Sequence, residues 1–190
     1  DIDKNKIHNK LLEVFKSKDF KIPEQSHNEV TYTQNTLVKI IKSHFREEEK
    51  SGLVIKGPKN PNQLRSIFFN GENYADITFS YSGKKFIAVE IKLLKKKQNR
   101  NQALSTAIGQ GIVYSMGKYK NSIIVIIDQD RRVKMVDLIG LKSKLYKVNV
   151  ELIYFNYSDK KKYLNYVDIK WLNIIKLCKT HQDQKQIGMV

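Results

Sequence analysis

Apolar residues over the first fifty positions recur at helical spacing. Ile7, Leu11, Leu12, Val14 and Phe15 in KNKIHNKLLEVFKSK fall on one helix face. Val30, Leu37, Val38, Ile40, Ile41, His44 and Phe45 do the same in a second helix, running from about Glu29 or Thr33 to Lys50. This pattern places His44 among packed core residues and Glu47, Glu48 and Glu49 at the helix's far end, the unfavourable pole for negative charge. KDFKIPEQSHNEV, with Pro23, connects the two helices, and SGLVIKGPKNPNQ breaks the second.

The period then changes. LRSIFF, NYADITFSY and KKFIAVEIKLL read as three strands, with turn chemistry supplied by NGEN and SGK. NQALSTAIGQGIVYSMGKY returns to helix, with Gly109 and Gly111 inside it. NSIIVIID is continuously apolar, the mark of a strand buried on both faces and parallel to a neighbour. VKMVDLIGLKSKLYK is a further helix and VELIYFNY a further strand. VDIKWLNIIKLCKTH closes the chain as a helix packed by Trp171, Ile174, Ile175 and Cys178. The order of helix, three-strand meander, helix, strand, helix and strand predicts a mixed-sheet α/β domain over 29–158. A helical extension (1–28) precedes it, and a C-terminal extension (159–190) packs on it.

Composition agrees with a folded chain. Of 190 residues, 41% are hydrophobic and 28% charged. No apolar run approaches the ~18 residues of a membrane span, and the first twenty residues lack the core of a signal peptide. One cysteine, Cys178, excludes an internal disulfide and a cysteine zinc cluster, which fits a reducing intracellular, cytoplasmic setting. Beginning at Asp1 rather than Met, the sequence reads as a trimmed product or a domain of something longer.

Net charge is +16 and unevenly distributed: residues 1–50 carry ten Lys/Arg against nine Asp/Glu, the remainder 25 against ten. A field of that sign concentrates polyanions, nucleic acid first among them. No membrane partner is expected. Lys95, Lys96, Lys97 and Arg100 follow the third strand directly and form a basic track for a phosphate backbone, which Arg131, Arg132 and Lys160 to Lys162 would widen.

The second hairpin carries the chemistry. With Ser82-Gly83-Lys84 as a three-residue loop, Tyr81 pairs with Lys85 and Asp76 falls opposite Glu90, their Cβ atoms about 4.5–5.5 Å apart. A two-residue loop would break the alternation and is disfavoured. Lys92 lies on the same face, while Ala75, Ile77, Phe79 and Tyr81 against Ile87, Val89 and Ile91 form the core side. Facing carboxylates repel unless a cation sits between them, and hard oxygen donors suit Mg²⁺ or Mn²⁺. The Ile91 carbonyl is a further ligand candidate, and Lys92 is placed to act on the attacking water or the phosphoryl oxygens. Taken alone, E-x-K at a strand end reads as a salt-bridged surface patch; the aspartate in register makes it a candidate site.

Asp76 in YADITF, Glu90 and Lys92 in VEIK, and Gln110 and Tyr114 in GQGIVY resemble the PD-(D/E)XK nuclease superfamily, in its branch with a Q-x-x-x-Y motif. The proline that usually precedes the aspartate is Ala75 here. The resemblance covers roughly residues 29–130 and implies a restriction-endonuclease-like fold. It implies Mg²⁺-dependent cleavage, with Asp76, Glu90 and Lys92 catalytic, Gln110 and Tyr114 on substrate phosphate, and Glu29 as an additional catalytic glutamate. DNA is the expected substrate, and the family's habits point to a homodimer or attachment to a larger nucleic-acid-processing protein. Two other readings stay open: a non-catalytic nucleic-acid-binding module of the same fold, and an RNA-directed nuclease.

Overall fold

The computed structural model describes residues 2–20, 22–23, 28–58, 75–95, 99–128 and 135–156, the side chains of 135–139 and 156 excepted. Its elements in chain order are α1 (Lys4–Lys16), α2 (Glu29–Tyr32), a π-helical segment (Thr33–Leu37), α3 (Val38–His44), α4 (Arg46–Lys50), β1 (Leu53–Lys56), β2 (Ile77–Tyr81), β3 (Lys84–Leu94), α5 (Arg100–Met116), β4 (Asn121–Asp128), α6 (Met135–Tyr146) and β5 (Val150–Asn156). The five strands form one mixed sheet in sequence order. β1, β2 and β3 are antiparallel neighbours, and β3, β4 and β5 run parallel.

Helices cover both faces. Ile87, Val89, Ile91 and Leu93 of β3, with Ile123, Val125 and Ile127 of β4, pack against Ile7, Leu11, Val14 and Phe15 of α1 and against Leu37, Ile41 and Phe45. Thus α1, within the predicted N-terminal extension, shares the sheet's main core. On the opposite face, Ile124, Ile126, Val150 and Leu152 pack against Ala103 and Ala107 of α5 and Leu145 of α6. Burial on both sides accounts for the unbroken apolar run of β4.

Three local features differ from the sequence expectation. The first antiparallel strand is Leu53–Lys56, within the stretch read as a helix breaker; LRSIFF lies outside the described residues, as does the expected C-terminal helix. The second helix is also not continuous. It passes through the π-helical segment and breaks at Phe45, so Glu47, Glu48 and Glu49 open α4, at its favourable pole, and pair with Lys50, Lys10 and Lys42. His44, expected in the core, is only half-buried and meets Asp19 at 3.1 Å.

The third difference is the hairpin. Its turn is the two-residue Ser82-Gly83, both at positive φ (48° and 75°), the geometry of a type I′ turn. Tyr81 therefore faces Lys84 and Ser80 faces Lys85. Between Phe79 and Ser80 the register shifts, because β3 carries one extra residue, Phe86, as a bulge. From Phe79↔Ile87 inward the pairing is the one the three-residue loop would have produced. Phe86 and Ile87 both enter the same core cluster, so apolar burial holds the bulge in place.

α5 approaches the sheet closely along Ala103, Ala107 and Gly111. A Cβ on Gly111 would lie 2.5 Å from Ile124 Cδ1 and 2.6 Å from its Cγ1. Gly111→Ala gains helix propensity of about 1 kcal/mol but overpacks the contact by roughly 1–3 kcal/mol. Urea unfolding is expected to show Gly111→Ala less stable than wild type, with Gly111→Ala/Ile124→Val recovering most of the loss.

Candidate active site

The eleven residues of β3 outrun the five of β2, and the pairing described between them ends at Ile77↔Val89. Ile91 and Leu93, the next alternate residues, direct their N–H groups to the same edge. Carboxylates accept both bonds. Asp76 Oδ2 accepts from Ile91 N–H at 2.7 Å, and Glu29 Oε2 from Leu93 N–H at 2.8 Å. Glu29 arrives from the first position of α2, where Asn28 caps the helix through the Val30 and Thr31 N–H groups.

Lys92 Nζ donates to Glu29 Oε1 at 3.0 Å. Glu90, on the α5 side of β3, accepts from Tyr114 Oη at 3.3 Å. Gln110, one turn before Tyr114 on the same helix face, is hydrogen-bonded to it. Glu29, Asp76, Glu90, Lys92, Gln110 and Tyr114 thus form one connected cluster drawn from α2, the entry to β2, β3 and α5. Asp76 and Glu90 are 5% and 4% exposed; the side chains of Lys92 and Glu29, at 19% and 22%, are the solvent-facing side of the site.

Burial sets the electrostatics. Desolvation pushes Asp76 up to about 7, aided by Glu29 and opposed by the Ile91 N–H and by Lys92. Glu90 is pushed well above the ordinary carboxylate range by desolvation and then by Asp76, with Lys92 acting the other way. Desolvation alone would lower Lys92, but Glu29, Glu90 and Asp76 together raise it, so it stays an ammonium at neutral pH. Burial, with Glu90 and Asp76, raises the Tyr114 phenol, keeping it a neutral donor. Three carboxylates facing one ammonium leave two negative charges unbalanced when all are ionised.

A divalent cation fits that excess. Asp76, Glu90 and the carbonyl of Ile91, which points to the same strand edge as the Ile91 N–H that Asp76 accepts, would be its protein donors. Among the described residues no group of three or more His, Cys, Asp or Glu is arranged to hold a metal, so solvent or substrate oxygens would complete the shell.

Of the expected basic track, Lys95 and Arg100 fall among the described residues. Arg100 is bonded to Asp128 at the end of β4, opposite Leu94, and its side chain is 11% exposed. Lys95 is exposed at the end of β3, and Lys96 and Lys97, like Arg131, Arg132 and Lys160 to Lys162, lie outside the described residues. The trio of buried Asp128 with half-buried Arg100 and Tyr154, whose hydroxyl donates to Asp128 at 2.5 Å, was missed from sequence. Its signal was a carboxylate closing a fully apolar strand, which has to find a partner. A scan against protein-family models and a search of curated proteins found no match for this chain.

Because Asp76 binds its proton more tightly folded than unfolded, its contribution to stability is complete below pH 4 and lost as pH rises through about 7. Asp76→Asn keeps an acceptor for Ile91 N–H without the charge. It is expected to exceed metal-free wild type in stability by about 1–3 kcal/mol at pH 8, the advantage shrinking toward pH 4. Urea titrations across that range check the slope.

Proposed function

We propose that this chain is a divalent-metal-dependent nuclease of restriction-endonuclease-like fold that hydrolyses phosphodiester bonds in DNA. The observation that carries the reading is the pair of buried carboxylates, Asp76 and Glu90, sharing one strand edge with Lys92 and leaving negative charge unbalanced. The helix, antiparallel strands and β3–α5–β4 crossover are consistent with that fold. The +16 net charge supports a polyanionic substrate.

Bound Mg²⁺ or Mn²⁺ would polarise the phosphoryl group and acidify a water molecule. Asp76, Glu90 and the Ile91 carbonyl supply its protein ligands. The raised pKa of Lys92 makes it a poor proton acceptor at neutral pH. Its role is electrostatic: the ammonium offsets charge accumulating on the phosphoryl oxygens and holds the nucleophile by a hydrogen bond. Tyr114 fixes the rotamer of Glu90, and Gln110 fixes the Tyr114 hydroxyl. Glu29 sets the position of Lys92 in the ligand-free site.

Wild type, Asp76→Ala and Lys92→Ala incubated with linear and circular DNA, single- and double-stranded, test the reading. Cutting is expected with Mg²⁺ or Mn²⁺, absent in EDTA, and reduced by roughly 10²–10³-fold in Lys92→Ala. Asp76→Ala should bind DNA with near wild-type affinity and not cut. Cleavage by Asp76→Ala at the wild-type rate overturns the assignment. Salt-sensitive binding with no cleavage of DNA or RNA replaces it with a non-catalytic binding module, and cleavage of RNA alone changes the substrate.

A further inference from the structure

Glu29 divides its two oxygens between a cation and a neutral donor: Oε1 to the Lys92 ammonium at 3.0 Å and Oε2 to the Leu93 N–H at 2.8 Å. Two donors side by side, one of them charged, holding two oxygens of a single oxyanion is also how proteins grip phosphate. Carboxylate and phosphate are interchangeable ligands for such a pair.

The Glu29 backbone is anchored independently of this contact. Asn28 caps α2, Thr33 Oγ1 donates to the Glu29 carbonyl at 2.8 Å, and the following π-helical segment ties α2 to the core through Leu37. Tyr32 of α2 also packs in the core cluster that holds Ile91 and Leu93, so rotation about the side-chain bonds of Glu29 releases Lys92 and Leu93 while α2 stays folded. Release also faces the right way, since Glu29 and Lys92 form the solvent-facing side of the cluster and Asp76 and Glu90 lie behind them.

We propose that Glu29 is a displaceable latch: its carboxylate occupies an oxyanion subsite, made by Lys92 Nζ and Leu93 N–H, that a phosphate group takes over when substrate enters. The proposal rests on the reading of this site as a phosphodiesterase centre for the identity of its ligand. An incoming phosphate exchanges one anion for another on Lys92 and turns Glu29 out to solvent. The resting enzyme then binds phosphate with an affinity reduced by the fraction of molecules whose latch is open.

Inorganic phosphate titrated into ¹⁵N-labelled wild type, Glu29→Ala and Glu29→Gln, metal-free and with Mg²⁺, tests this through the Leu93 amide and Lys92 ammonium resonances. Wild type is expected to show weak binding at those two groups, and Glu29→Ala binding tighter by roughly tenfold or more. Glu29→Gln, which keeps an acceptor and loses the ion pair, should fall between them. Equal affinity in wild type and Glu29→Ala, or shifts that avoid residues 92 and 93, overturns the latch. If Glu29→Ala melts below the assay temperature, Glu29→Gln is judged by the same criterion.

The two readings fail separately. Tightened phosphate binding at Lys92 and Leu93 in a protein that cuts no nucleic acid keeps the latch and removes the nuclease. Metal-dependent cutting with no gain in phosphate affinity removes the latch and leaves Glu29 as a positioning residue for Lys92.

Discussion

Past Val89, β3 continues beyond its described pairing with β2, and the amides of Ile91 and Leu93 have to find acceptors there. A buried amide left without one costs about 1–3 kcal/mol. Asp76 and Glu29 meet that demand, and the site assembles around it. The same edge explains why carboxylates tolerate such burial: each has a backbone donor fixed by a strand that is itself packed on both faces. Glu90 and Lys92 need no separate device, because alternation along β3 turns them both toward α5.

The charge pattern follows from that geometry. All three carboxylates face the Lys92 ammonium, and they hold it protonated despite its burial. Asp76 and Glu90 share what is left of that compensation and retain protons well above the usual range. Arg100, eight residues beyond Lys92, is committed to Asp128 rather than to these carboxylates.

Much of this was legible in the sequence because strand alternation is strict. Asp76, Glu90 and Lys92 on one face, with Ile87, Val89 and Ile91 on the other, allow a single inward register, and burial of the apolar side enforces it. Gln110 and Tyr114 came from the resemblance to the Q-x-x-x-Y pattern, and their spacing of four accounts for their sharing one helix face. The turn was misread because Ser82 had to adopt a left-handed conformation that its residue type does not announce, and because bulges leave no local signature. β1 was hidden by the glycines and prolines around it, although Leu53 and Ile55 alternate as strand residues do. The π-helical segment is a property of packing rather than of propensity, so neither it nor the break at Phe45 shows in the apolar spacing. Leu93 as a ligand of Glu29 was out of reach, since a backbone N–H has no letter in the sequence.

The Phe86 bulge separates two parts of the hairpin that would otherwise be locked together. In a regular ladder, lengthening the turn by one residue flips every side chain beyond it to the other face. Here β3 already stores one residue of slack between the turn and the first paired core residues, pinned by Phe86 in the apolar cluster. A one-residue longer turn matched by loss of the bulge would leave the pairing from Phe79↔Ile87 to Ile77↔Val89, at the entrance to the site, unchanged. The surface loop and the buried carboxylates are thus free to vary on independent terms, with the bulge as the joint between them.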